Sequence, residues 1–152
     1  MNIDNSIIAI EKLIPSFDKK KLTISTANVA WHLDHSLKVI NNVCEALSKS
    51  KPENYKSTSS FIKSYVLITG SIPRGKAKAP KNVVEKGVIT KESIEEQLVE
   101  AKKHLNKIKK LPAKSHFTHP YFGMLPLKTS LRFLAIHTNH HLKIVKAILK
   151  KS

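Results

Sequence analysis

The sequence predicts an all-α fold, a bundle of four main helices preceded by a short N-terminal one. Apolar residues recur at steps of three and four through most of the chain. Aromatics make up only 6% of the residues and glycines number four, which suits packed aliphatic helices better than a sandwich of short aromatic strands. One long proline- and glycine-bearing stretch breaks the periodicity, as a crossover between bundle helices would. The 152 residues suffice for a continuous core, so residues 1–152 are expected to form one domain.

Ile3, Ile7, Ile10 and Ile14 mark a short amphipathic helix closed by Pro15, expected to lie across the bundle. Ser25 or Thr26 can cap a long helix to about Ser48, with Ala30, Leu33, Leu37, Ile40, Cys44 and Leu47 as its buried stripe. After Pro52, a helix from Ser57 or Thr58 carries Phe61, Tyr65, Leu67 and Ile68 until Gly70 and Pro73 stop it, although Tyr65–Thr69 is β-prone. Residues 70–90 read as the long crossover. The helix over 91–110 has Glu92, Glu95 and Glu96 at its start and Lys107, Lys109 and Lys110 at its end, complementing its dipole. Its stripe is Ile94, Leu98, Ala101, Leu105 and Ile108. Residues 111–126, with three prolines and the aromatics Phe117, Tyr121 and Phe122, are expected to form a structured loop, and the last helix runs from about Leu127 to Lys150.

Net charge is +16, and only Arg74 and Arg132 are arginines, so the planar fork that suits base edges is scarce. Lysines are spread over every segment, which speaks for a solvated surface and against a nucleic-acid partner, while leaving a small anionic substrate admissible. Cys44 is the only cysteine and is expected as a buried filler. The first fifteen residues resemble neither a signal peptide nor a membrane span, so a cytoplasmic protein without a membrane partner is expected.

Five of the eight histidines fall in two helices. On the last helix His137 and His141 lie inside the apolar stripe through Leu127, Leu131, Leu134, Leu142, Val145, Ile148 and Leu149, with His140 near its edge. Side chains four apart share a helix face, so these two imidazoles can converge on one ion. The bland alternative is two core histidines, each bonded to a carbonyl. A third histidine shifts the balance toward a metal. On the second helix His32 lies about 80° from the stripe centre and His35 about 140° away, on the expected solvent side. His32, His137 and His141 are therefore the candidate ligands, a three-nitrogen site with positions left open, as in a catalytic centre. His35 and His140 are expected as surface or supporting groups, Asp34 on the solvent face and His104 solvated, while His116 and His119 are expected to cap a helix end or, alternatively, to lie at the mouth of the pocket. The loop Phe117–Met124 is expected beside the pocket, with His119, Tyr121 and Phe122 at its entrance; alternatively the rings only seal the bundle end.

His119-Pro120-Tyr121-Phe122-Gly123, followed by Ile136-His137-Thr138-Asn139-His140-His141-Leu142, resembles the HP-x-FG and H-x-x-HHL patterns of an uncharacterised branch of the DinB-like superfamily of bacterial four-helix-bundle metalloproteins. Val29-Ala30-Trp31-His32-Leu33 is similar to the first ligand motif of that family, whereas Ile24-Ser25 stands where many members have Trp-Ser. The resemblance implies an up-up-down-down bundle whose long crossover follows Gly70, with His32, His137 and His141 as ligands. It also implies thiol chemistry, since characterised members are metal-dependent transferases and isomerases using bacillithiol or mycothiol. The expectation is a divalent-metal enzyme, with zinc or nickel and a low-molecular-weight thiol as cofactors, acting by S-transfer on a small molecule. A metal-dependent hydrolase, or a non-enzymatic protein binding metal or a small ligand, is the alternative, and a homodimer is an admissible assembly.

Overall fold

Asn2 accepts a hydrogen bond from the backbone N–H of Asn5 and so starts α1, Ile3–Leu13. The computed structural model describes residues 2–73 and 87–150. The elements after α1 are α2 (Val29–Lys49), α3 (Phe61–Thr69), α4 (Lys91–Ile108), β1 (His116–His119), β2 (Gly123–Pro126) and α5 (Leu127–Leu149). A mostly helical fold is thus observed, with a two-stranded sheet added to it.

Ile3, Ile7 and Ile10 of α1 are buried, and the helix packs on α4 and α5. α2 packs on the same two helices, so α1, α2, α4 and α5 surround one core. α1 is therefore part of that core and not an accessory to it. The stripes read for α2 and α4 are buried throughout, and Cys44 is fully enclosed, its thiol pushed up to about 12 by burial. Thr90 and Ser93 exchange hydrogen bonds at the start of α4, a capping box that satisfies two otherwise unpaired backbone donors.

α2 starts later than expected. Its cap is Asn28, whose side chain accepts from the Trp31 N–H, and Ser25 is freed for another role described below. α3 also differs from expectation, because Val66 is its one buried residue while Phe61 and Ile68 are 88% and 80% exposed. Its ends are held by polar contacts instead: Ser60 Oγ donates to the Tyr121 carbonyl, and the Arg132 guanidinium donates to that of Leu67. Gly70, at φ +63°, ends the helix in the left-handed conformation. Residues 74–86 of the expected crossover lie outside the described residues.

The segment expected as a loop is an antiparallel hairpin, pairing His116 with Pro126, Phe117 with Leu125, Thr118 with Met124 and His119 with Gly123. Its prolines do not prevent pairing, because Pro120 sits in the turn and Pro126 at the end of β2, clear of the central ladder donors. Phe117, Phe122 and Leu125 join the core from this hairpin. Gly123 closes the turn at φ +69°, and a Cβ there would meet Thr58 Oγ1 at 2.4 Å. That hydroxyl donates to the Phe122 carbonyl at 3.2 Å, so the chain before α3 grips the turn. Gly123→Ala is expected to destabilise the protein by about 1–3 kcal/mol, through both the positive φ and the clash. Urea denaturation showing parent stability in that variant would contradict this account.

Candidate metal centre

α2 carries His32 and His35 and packs on α5, which carries His137 and His141 four residues apart. One ring nitrogen from each of His35, His137 and His141 lies within 4.8 Å of the other two. Ring centroids are 5.2 Å apart for His35 and His137, 4.7 Å for His35 and His141, and 4.8 Å for His137 and His141. Trp31 covers the group, stacked flat on His35 at 4.8 Å and 4°.

The third histidine grouped with His137 and His141 is thus His35, where the helical spacing in the sequence predicts His32. His35 is buried, not on the solvent side. His35 lies inside because α2 packs against both α4 and α5, and every residue from His32 to Leu37 is buried whatever its polarity. Asp34, also expected outside, is 3% exposed and held by Lys38 Nζ at 2.7 Å and Gln97 Nε2 at 2.8 Å. His32 is buried as well and contacts the cluster from another direction. Its Nδ1 lies 3.0 Å from His141 Nδ1, and its Nε2 lies 3.1 Å from Ser25 Oγ.

Burial holds His137 down at about 3, assisted by the charges that His35, His140 and His119 would carry. His141 is pushed below the ordinary histidine range by burial first, then by His137, His35, His32 and His140. Both rings are therefore neutral at pH 7, the form that ligates a metal. His137 Nδ1 is buried without a hydrogen-bond partner among the described residues, an arrangement that costs about 1–3 kcal/mol unless something else satisfies the atom. Nitrogens sharing a tetrahedral ion are about 3.3 Å apart, so three imidazoles already this close could hold a metal ion.

The remaining histidines divide by their partners. His140 is half-buried and meets His141 edge-on at 5.1 Å. His116 Nδ1 donates to the Lys114 carbonyl, and its backbone N–H donates to Ser50 Oγ, which ties the hairpin to the end of α2. His104, expected in solvent, is half-buried with Nδ1 3.1 Å from Asn41 Oδ1. It also meets Glu45 and Glu100, but both carboxylates are exposed, and such surface groups commonly meet without an ion.

His119 Nδ1 accepts from the Tyr121 backbone N–H at 3.1 Å, and its ring stacks on Phe122 at 4.1 Å. Burial lowers its pKa to about 4. The HP-x-FG segment thus has a physical meaning: the ring folds back on the turn that Pro120 and Gly123 shape. His119 then packs on Phe133 at 4.9 Å, and Phe133 on His137 at 5.7 Å, so the hairpin lies on the histidine side of α5. Tyr121 is exposed, whereas Phe122 is buried and stacks on His119.

A surface groove lined by Leu67, Lys128, Leu131, Arg132 and Ile136 follows a different face of α5, and none of the described residues lining it is a histidine. Among the described residues no helix is long and apolar enough to cross a membrane. Comparisons with family models, curated proteins and solved structures give no match.

Proposed function

We propose that the protein is a divalent-metal-dependent enzyme, with His35, His137 and His141 as ligands and S-transfer from a low-molecular-weight thiol as its reaction. The observation that carries this reading is the convergence of three imidazoles from two helices, His137 and His141 held neutral, with the His137 Nδ1 atom buried and without a hydrogen-bond partner among the described residues. The resemblance to the DinB-like superfamily, with its up-up-down-down helix order, supplies the thiol chemistry and belongs to the same reading.

A zinc or nickel ion in such a site lowers the pKa of a thiol, or of water, and so yields a nucleophile at neutral pH. The protein's own groups do the rest. Trp31 and Phe133 flank the imidazoles and limit water there. Tyr121 stands exposed where the hairpin turns, beside His119, and the two serve as the rim of the entrance. The lysine-rich surface attracts the carboxylates of a bacillithiol-like thiol or a small anionic substrate. A non-enzymatic metal-binding role is the second reading, favoured by one feature: the triad includes no carboxylate to act as general base.

Zinc- or nickel-loaded protein is expected to consume a reactive electrophile only when a bacillithiol-like thiol is supplied. Loss of an ester substrate in water alone would transfer the assignment to a hydrolase. Stoichiometric metal with turnover in neither assay would favour the binding protein.

A further inference from the structure

The contact between His32 and His141 has a direction that chemistry imposes. An imidazole bound to a cation through one nitrogen keeps its proton on the other and donates it to an acceptor. Nδ1 of His141 faces Nδ1 of His32 at 3.0 Å, which leaves Nε2 of His141 as its ligating atom. His141 Nδ1 is then the donor and His32 Nδ1 the acceptor. A neutral His32 that accepts through Nδ1 carries its own proton on Nε2, which lies 3.1 Å from Ser25 Oγ. That oxygen also accepts from the Ala27 backbone N–H at 3.1 Å, so its two lone pairs are matched by two donors.

We propose that His32 is a positioning residue, which together with Ser25 orients His141 and fixes its tautomer for metal binding, and is not itself a ligand. This rests on the metal-dependent reading given above. The 3.0 Å separation suits a hydrogen bond and is shorter than the roughly 3.3 Å between two nitrogens on one tetrahedral ion. The chain Ser25, His32, His141 runs from the segment before α2 through α2 to α5, so it links the helix start to the ligand helix. It also accounts for Ser25 lying upstream of the α2 cap, where its hydroxyl has no capping task.

The test uses the full chain and zinc alone. In the unmutated zinc-loaded protein, nitrogen-detected NMR of the imidazoles is expected to show a proton on Nδ1 of His141 and on Nε2 of His32. His32→Gln and Ser25→Ala are expected to retain one zinc per chain at saturation but to bind it more weakly, by about 10–100-fold for His32→Gln and less for Ser25→Ala. The NMR measurement needs no variant, so misfolding cannot obscure it. A zinc-loaded parent with His32 Nδ1 on the metal, or a well-folded His32→Gln that loses stoichiometric zinc, makes His32 a ligand and overturns the proposal. Parent affinity in both variants overturns it too, while leaving the His35, His137 and His141 site standing. A parent that binds no zinc overturns both readings.

Discussion

His35→Ala, His137→Ala and His141→Ala are each expected to abolish stoichiometric binding of zinc or nickel, whereas His140→Ala leaves it largely intact. Three nitrogens from two helices could chelate one ion, and removing one would leave two imidazoles, too few to hold it against water and buffer. An ion present at a hundred times its Kd stabilises the folded state by about 2.7 kcal/mol, because it binds that state alone. In a domain of this size that corresponds to a rise in melting temperature of about 5–10 °C in the parent, and to none in the three variants. The net charge of +16 does not decide the matter, since one charge 10 Å away in water costs a bound cation only about 0.4 kcal/mol before salt screening. Elemental analysis and thermal unfolding with and without metal check the expectation. If the histidines are only core residues, the variants lose stability equally in both conditions and the parent gains nothing from metal.

The elements legible in the sequence were those whose own periodicity faces the core. The stripes of α2, α4 and α5, and the isoleucines of α1, are buried or nearly so where the spacing of three and four places them. Periodicity was misleading where something else decided. α3 has an apolar face, yet only Val66 is buried and Leu67 packs partly on the core, because hydrogen bonds to Tyr121 and from Arg132 secure a short helix that packs little. The hairpin was hidden behind its prolines, and neither short strand alternates apolar with polar residues: His116 and Phe117 are both buried in β1, and Leu125 is the buried residue of β2. His137 and His141 were found because four residues on a helix are a local distance. The choice between His32 and His35 was not local. It depended on which neighbours flank α2, and a helix covered on two sides buries more than its apolar stripe, so both histidines lie inside and only three-dimensional geometry separates their roles.

Metal-free protein is expected to lose stability steeply as the pH falls from 7 to 5. The ordinary histidine value is 6.5, while His137 is held at about 3, His119 at about 4, and His141 below the ordinary range, all chiefly by burial. Between these values the unfolded chain binds protons that the folded chain refuses. Stability therefore rises with pH across this window and is lost on acidification, starting near 6.5. Each fully buried group costs about 1.4 kcal/mol per pH unit, so His137 and His141 together remove on the order of 3–4 kcal/mol by pH 5, a substantial part of the 5–15 kcal/mol typical of a folded domain, and the more exposed, better screened His119 adds less. His137→Leu removes one titrating group and is expected to flatten the slope by about one proton. In the zinc-loaded protein the same depressed values mean that protons do not reach the folded ligands near pH 6, so metal release should coincide with unfolding. Denaturation curves at pH 7, 6 and 5, with a zinc-sensitive dye reporting release, test both statements. Constant stability over that range, or zinc leaving at pH 6 from a chain with its helices intact, would show that the imidazoles are far more accessible to protons than their burial between α2 and α5 allows.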